Sequence, residues 1–132
     1  NEKTETLGVS LDEVNLAQMN LKGVAKNTPF DFNENLSRQF EANVYLKRED
    51  LQVVRSYKLR GAYNKIVQLS EQEKNNGVIC ASAGNHAQGV AYSCQQLNIK
   101  GKIVMPTTST KNKTSKMVWE RSNRNHFTWR YI

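Results

Sequence analysis

The 132-residue chain predicts an α/β fold made of parallel-sheet βαβ units. Three observations carry that expectation. Residues 57–69 repeat apolar side chains at helical spacing, residues 77–81 are a compact apolar run, and a second such run at residues 102–105 follows a further helical stretch. Helices that alternate with short apolar strands favour right-handed crossovers around a parallel sheet.

Taken in order, the first element is a helix over residues 10–26. Ser10 is its cap, Glu13 completes a capping box, and Val14, Ala17, Leu21 and Val24 share one face. Asn27-Thr28-Pro29 stops it. Residues 44–46 form a short β-prone run that ends in Lys47-Arg48-Glu49-Asp50, and a loop runs on through Arg55. The helix over residues 57–69 has Leu59, Ala62, Tyr63, Ile66 and Leu69 available on one side. After the apolar strand at 77–81, Ser82-Ala83-Gly84-Asn85-His86 opens a third helix that reaches about Leu97. Pro106 closes the last strand. The sequence contains no internal repeat and no low-complexity stretch.

Composition bounds the classes open to such a chain. At this length folding removes roughly two-thirds of the unfolded chain's surface from water, so a real core can form. Apolar residues make up 38% and charged residues 23%, with two prolines, unlike a disordered tail or a fibre. No apolar run approaches the roughly 18 residues of a membrane span, and the polar start lacks the apolar centre of a secretion signal. A cytoplasmic location is therefore expected, with no membrane partner. Cys80 and Cys94 lack a second Cys or His at metal-ligand spacing and read as small buried thiols, with no metal site. The net charge of +7 is concentrated late: residues 109–132 carry six Lys or Arg against one Glu.

Several residues can carry chemistry. Lys58 stands at the first turn of a helix just after a loop, where the helix's positive end disfavours an ammonium and burial would lower the pKa further. A neutral amine of that kind attacks aldehydes; a solvated surface lysine is the plain alternative. The segment from Ser82 to Gly89 follows a strand and starts a helix, leaving backbone N–H groups open for a carboxylate or phosphate. Capping by Ser82 or Asn85 explains the same residues. His86 has no Ser-Asp or Cys partner at suggestive spacing, and a capping or packing role suits it.

These segments, with Val44-Tyr45-Leu46-Lys47-Arg48-Glu49-Asp50-Leu51-Gln52, resemble the threonine dehydratase family. That family belongs to the tryptophan-synthase-β-like, fold type II, pyridoxal 5'-phosphate enzymes. The resemblance spans about Val14 to Lys116. It rests on three motifs in order and spacing: Lys-Arg-Glu-Asp, Ser-Tyr-Lys-Leu-Arg-Gly-Ala and Ala-Ser-Ala-Gly-Asn-His-Ala-Gln-Gly. It implies that Lys58 links covalently to the cofactor and then moves protons. It also implies that Asn85 hydrogen-bonds the cofactor's ring hydroxyl, and that the loop of Ser82, Ala83, Gly84, Asn85 and His86 grips the substrate carboxylate. Tyr57 stands where phenylalanine is commoner. The implied reaction is β-elimination of water from threonine to give 2-oxobutanoate and ammonia, a step towards isoleucine, by an enzyme that forms a homo-oligomer. Serine dehydratase and serine racemase share the same key residues, whereas Lys-Arg-Glu-Asp-Leu-Gln leans towards the threonine enzyme.

The resemblance weakens after Met105-Pro106-Thr107-Thr108, where Ser109-Thr110 intervenes, and it ceases near Met117. Read one nucleotide later, permitted codons for residues 117 onward spell Trp-Phe-Gly-Ser-Asp-Gln-Ile-Val-Ile-Thr-Leu-His-Gly-Asp-Thr, which restores an apolar strand. The expectation is a two-part chain. Residues 1–116 are the N-terminal part of a lyase catalytic domain, inactive without the rest and leaving apolar faces uncovered, and residues 117–132 are an out-of-frame basic tail. A rival of another class is a basic nucleic-acid-binding module that uses Trp119, Trp129 and nearby Arg.

Overall fold

The computed structural model describes residues 8–104 and the backbone of two further strands at 116–121 and 127–131. In chain order the elements are α1 (Leu11–Asn20), β1 (Phe30–Phe32), α2 (Glu34–Phe40), β2 (Tyr45–Lys47), a 3-10 turn (Glu49–Leu51), α3 (Lys58–Val67) and α4 (Glu71–Asn76). They continue as β3 (Val78–Ala81), α5 (Asn85–Leu97), β4 (Gly101–Val104), β5 (Lys116–Arg121) and β6 (Phe127–Tyr131).

The expected βαβ unit is present. Strands β3 and β4 pair in parallel, Val78 against Gly101 and Ala81 against Val104, with α5 as the connection. The sheet then continues antiparallel: β5 pairs with β4, and β6 pairs with β5 with Trp119 opposite Trp129. A separate antiparallel pair, β1 with β2, encloses α2 and was not foreseen as a sheet, since only the residues of β2 read as a strand. The run at 102–105 proves to begin at Gly101, and its end at Met105 and Pro106 lies outside the described residues.

Local chemistry explains the helix boundaries. Ser10 accepts from the Glu13 N–H at 3.2 Å while the Glu13 carboxylate takes the Ser10 N–H at 2.7 Å, the capping box foreseen from the sequence. The helix is shorter than expected, because the chain turns after Asn20 and Gly23 adopts φ +80, a left-handed value that breaks helical repetition. Its apolar residues remain largely uncovered: Leu11, Val14, Leu16 and Met19 are exposed. Ser70 repeats the capping box for α4 with Glu73. That helix ends at Gly77, whose φ of +83 and proximity to the Lys100 carbonyl leave no place for a side chain.

The core is organised around α5. On one side Val90 and Cys94 pack against Ala62 and Ile66 of α3; on another, Ala87 and Ala91 meet Ile103 of β4. Leu59 is wholly buried at the start of α3, worth about 2 kcal/mol of transfer free energy. The apolar stripe of α3 thus follows the sequence expectation at Leu59, Ala62, Tyr63 and Ile66. Both cysteines are free thiols, although Cys80 is only partly buried. Apolar surface also lies open on β3, where Ile79 is exposed, and on β1 and β2, where Phe30 and Phe32 flank Tyr45 with ring centroids 5.1 and 5.3 Å away.

Candidate active site

The two motifs read as chemical in the sequence meet where α3 crosses α5. Gly89 lies so near the start of α3 that a Cβ on it would stand 3.0 Å from the Lys58 carbonyl carbon and oxygen and 3.2 Å from the Leu59 nitrogen. A side chain there would force the α3 backbone to give by a few tenths of an ångström. Asn85 precedes Gly89 by four residues, hence shares its face of α5 about 6 Å earlier along the axis. The main chain at Lys58 therefore lies about one turn of α5 from Asn85.

Lys58 is exposed, not buried as the nucleophile reading of the sequence had it. Its Nζ sits 5.2 Å from the centre of the Tyr57 ring, a cation–π contact between neighbours. The amine is accessible, and no carboxylate pairs with it among the described residues.

The loop before α5 is held by Ser82. Its Oγ accepts the N–H of Gly84 at 3.2 Å and of Ala87 at 3.3 Å, while its own N–H donates to the Val104 carbonyl at 2.9 Å. The capping explanation of Ser82 is thus met, but it leaves other donors over: the N–H groups of Ala83, Asn85 and His86 have no partner among the described residues. Ala83, Gly84, Asn85 and His86 are exposed. The remaining donors and the positive end of a thirteen-residue helix suit an anion. His86 also borders, with Val90 one turn on, a groove of about 530 Å³ that reaches Gly61, Ala62 and Cys80.

A polar network missed by sequence reasoning ties the first turn of α3 to the 3-10 turn and to Lys26 and Thr28. Arg60 grips Glu49 with two hydrogen bonds of 2.8 Å, from Nε to Oε2 and from Nη2 to Oε1. Thr28 Oγ1 donates to the same carboxylate at 2.5 Å. Buried Gln52 accepts the Lys26 N–H at 2.9 Å and donates to the Lys26 carbonyl at 2.8 Å. The Arg60 guanidinium, helped by Thr28 and Gln52, holds the Glu49 carboxyl at a pKa of about 2. Two quoted motifs, Lys-Arg-Glu-Asp and Ser-Tyr-Lys-Leu-Arg, are therefore tied by an ion pair. Their opposite charges were visible in the sequence; which charge met which was not.

An accessible amine, an exposed asparagine amide and, among the described residues, a loop with spare N–H donors fit an aldehyde cofactor and an amino-acid carboxylate. Comparison with known proteins agrees: the sequence model of the family described as pyridoxal-phosphate dependent enzyme matches residues 21–118, and the chain belongs to that family. Among individual relatives it is similar to the L-threonine dehydratase biosynthetic IlvA of Bacillus subtilis (strain 168), 59% identical over 101 residues, covering 76% of this chain and 24% of that protein. Of solved structures, the processed form of threonine deaminase isoform 2 from Solanum lycopersicum is 48% identical with a TM-score of 0.63, covering 78% of this chain and 30% of that one. Serine racemase from Dictyostelium discoideum is 31% identical with a TM-score of 0.71, covering 78% and 34%. The chain spans about a quarter of the length of the curated relatives it matches. No helix among the described residues is long and apolar enough to cross a membrane.

Proposed function

We propose that this chain supplies the lysine-bearing side of a threonine dehydratase that converts L-threonine to 2-oxobutanoate and ammonia in the cytoplasm. The observation that carries the reading is the contact of the Lys58 backbone with Gly89, one turn beyond Asn85. Pyridoxal 5'-phosphate, when bound, supplies the electron sink that lets an α-proton leave. In the proposed division of labour, Lys58 Nζ attaches the cofactor and carries the α-proton. The Asn85 amide orients the ring, and the loop of Ser82, Ala83, Gly84, Asn85 and His86 holds the substrate carboxylate on its N–H groups. The partner is a small amino acid, neither nucleic acid nor membrane, in a homo-oligomeric enzyme. Threonine is favoured over serine because the curated relatives at 50–59% identity are threonine dehydratases, whereas the serine racemase likeness is 31%.

A chimera tests this: residues 21–118 replace the matching segment of the Bacillus subtilis relative, and 2-oxobutanoate is measured from threonine and pyruvate from serine. Activity on threonine that disappears with Lys58→Ala is the expected result. Equal activity in the Lys58→Ala chimera overturns the assignment.

We also propose that residues 117–132 are an out-of-frame tail and that the chain by itself lacks dehydratase activity. Support comes from the family match ending at residue 118 and from the shifted codon reading. The pairing of β5 on β4 is neutral on this point, since main-chain groups of any sequence can extend a ladder. Nucleotide sequence across codon 117 decides it: an unbroken lyase frame downstream in the neighbouring phase is expected, and its absence refutes the tail.

A further inference from the structure

We propose that Ser56 is a positioning residue for Lys58, a helix cap that engages the first turn of α3 when the lysine carries its cofactor. This rests on the proposed role of Lys58. Tyr57 already has helical angles, φ −71 and ψ −12, so by backbone conformation Ser56 occupies the capping place and Leu59 is the residue whose N–H it would serve. The chain provides its own comparison. Ser10 accepts from the N–H three residues on at 3.2 Å, Ser70 does so at 3.3 Å, and Ser82 takes two N–H groups at the start of α5. Ser56 alone among these is buried, 6% exposed, with an Oγ that has no partner among the described residues.

A buried hydroxyl without a partner is costly, so relief of that cost is available to offset the ordering of the first turn when Lys58 is loaded. Engagement with Leu59 closes the first turn, and Lys58 lies inside that turn. Because Gly89 lies against the start of α3 and Arg60 is paired with Glu49, closure changes the presentation of the Lys58 amine rather than the place of the helix.

The test uses the 132-residue chain with pyridoxal 5'-phosphate, borohydride trapping and peptide mapping, with Lys65 and Lys74 as internal references. Lys58 is expected to take label ahead of both references. Ser56→Ala is expected to reduce that preference about fivefold, the factor set by one typical hydrogen bond, without lowering the thermal midpoint. Ser56→Thr restores it, and amide exchange at Leu59 slows on labelling only when a hydroxyl is present. Should Thr fail to fold, Ser56→Cys, close to serine in shape, replaces it, the thiol giving partial recovery relative to Ser56→Ala. A preference unchanged by Ser56→Ala, or equal in the Ala and Cys chains, overturns the proposal. No preference for Lys58 in the unsubstituted chain overturns instead the reading of Lys58 on which it rests.

Discussion

A Cβ added to Gly89 would stand 3.0 Å from the Lys58 carbonyl, and this close approach joins the lysine-bearing helix to the helix that follows the Ser82–Gly84 turn. Both atoms on the α3 side belong to the main chain, so neither can swing away. Gly89→Ala is therefore expected to destabilise the fold by about 1–3 kcal/mol, as overpacking does. It should also reduce Lys58 trapping by pyridoxal 5'-phosphate, because relief requires α3 to move. Denaturant unfolding and peptide mapping measure the two effects; a substitution silent in both contradicts the described packing.

The Glu49 carboxyl has a folded pKa of about 2 against an ordinary 4.5. Since the unfolded chain takes up this proton first, the stabilisation is full above pH 4.5 and is lost as pH falls through 2. Urea unfolding at pH 7, 4 and 3 should show the decline. Glu49→Gln should remove roughly 2 kcal/mol at pH 7, allowing for the partly solvated Arg60, and flatten the acid slope. A Gln chain as acid-sensitive as the parent contradicts this.

Burial pushes the Cys94 thiol up to about 11 and raises Cys80 as well. At pH 8 Cys94 is then almost wholly protonated and should react with disulfide reagents far more slowly than a free thiol. Two equivalents of thiol should appear promptly in denaturant. Rapid labelling of Cys94 in the folded chain is the contrary outcome.

Ser82→Ala removes the acceptor for two N–H groups at the head of α5. The expected cost is about 1 kcal/mol of stability. In the chimera, KM for threonine should rise more than kcat falls, as the loop loses its fixed shape. A fall confined to kcat, with KM unchanged, argues against a carboxylate-binding loop.

How far the fold was legible depended on whether its causes are local. The capping box at Ser10 and the stripe of α3 follow from spacing within a dozen residues or so, and the β3–α5–β4 unit from two plain apolar runs on either side of a helical stretch. The β1–β2 pair was missed because Phe30-Asp31-Phe32 is too short to declare itself as a strand. The first helix was drawn too long because the positive φ of Gly23 leaves no mark on apolar periodicity. At the site, Lys58 and Asn85 were legible as motif residues. The exposure of Lys58, the burial of Ser56 and the grip of Arg60 on Glu49 arise only once distant segments pack, so no reading of neighbours could supply them.

Helix α5 turns its smallest residues, Ala87, Gly89 and Ala91, towards its neighbours, and it thereby acts as a thin spacer whose width is set by hydrogen and methyl groups. A library randomised at these three positions should return almost nothing bulkier than serine. The tolerance of that one helix to thickening limits how far the sequence can drift before the gap between amine and loop opens.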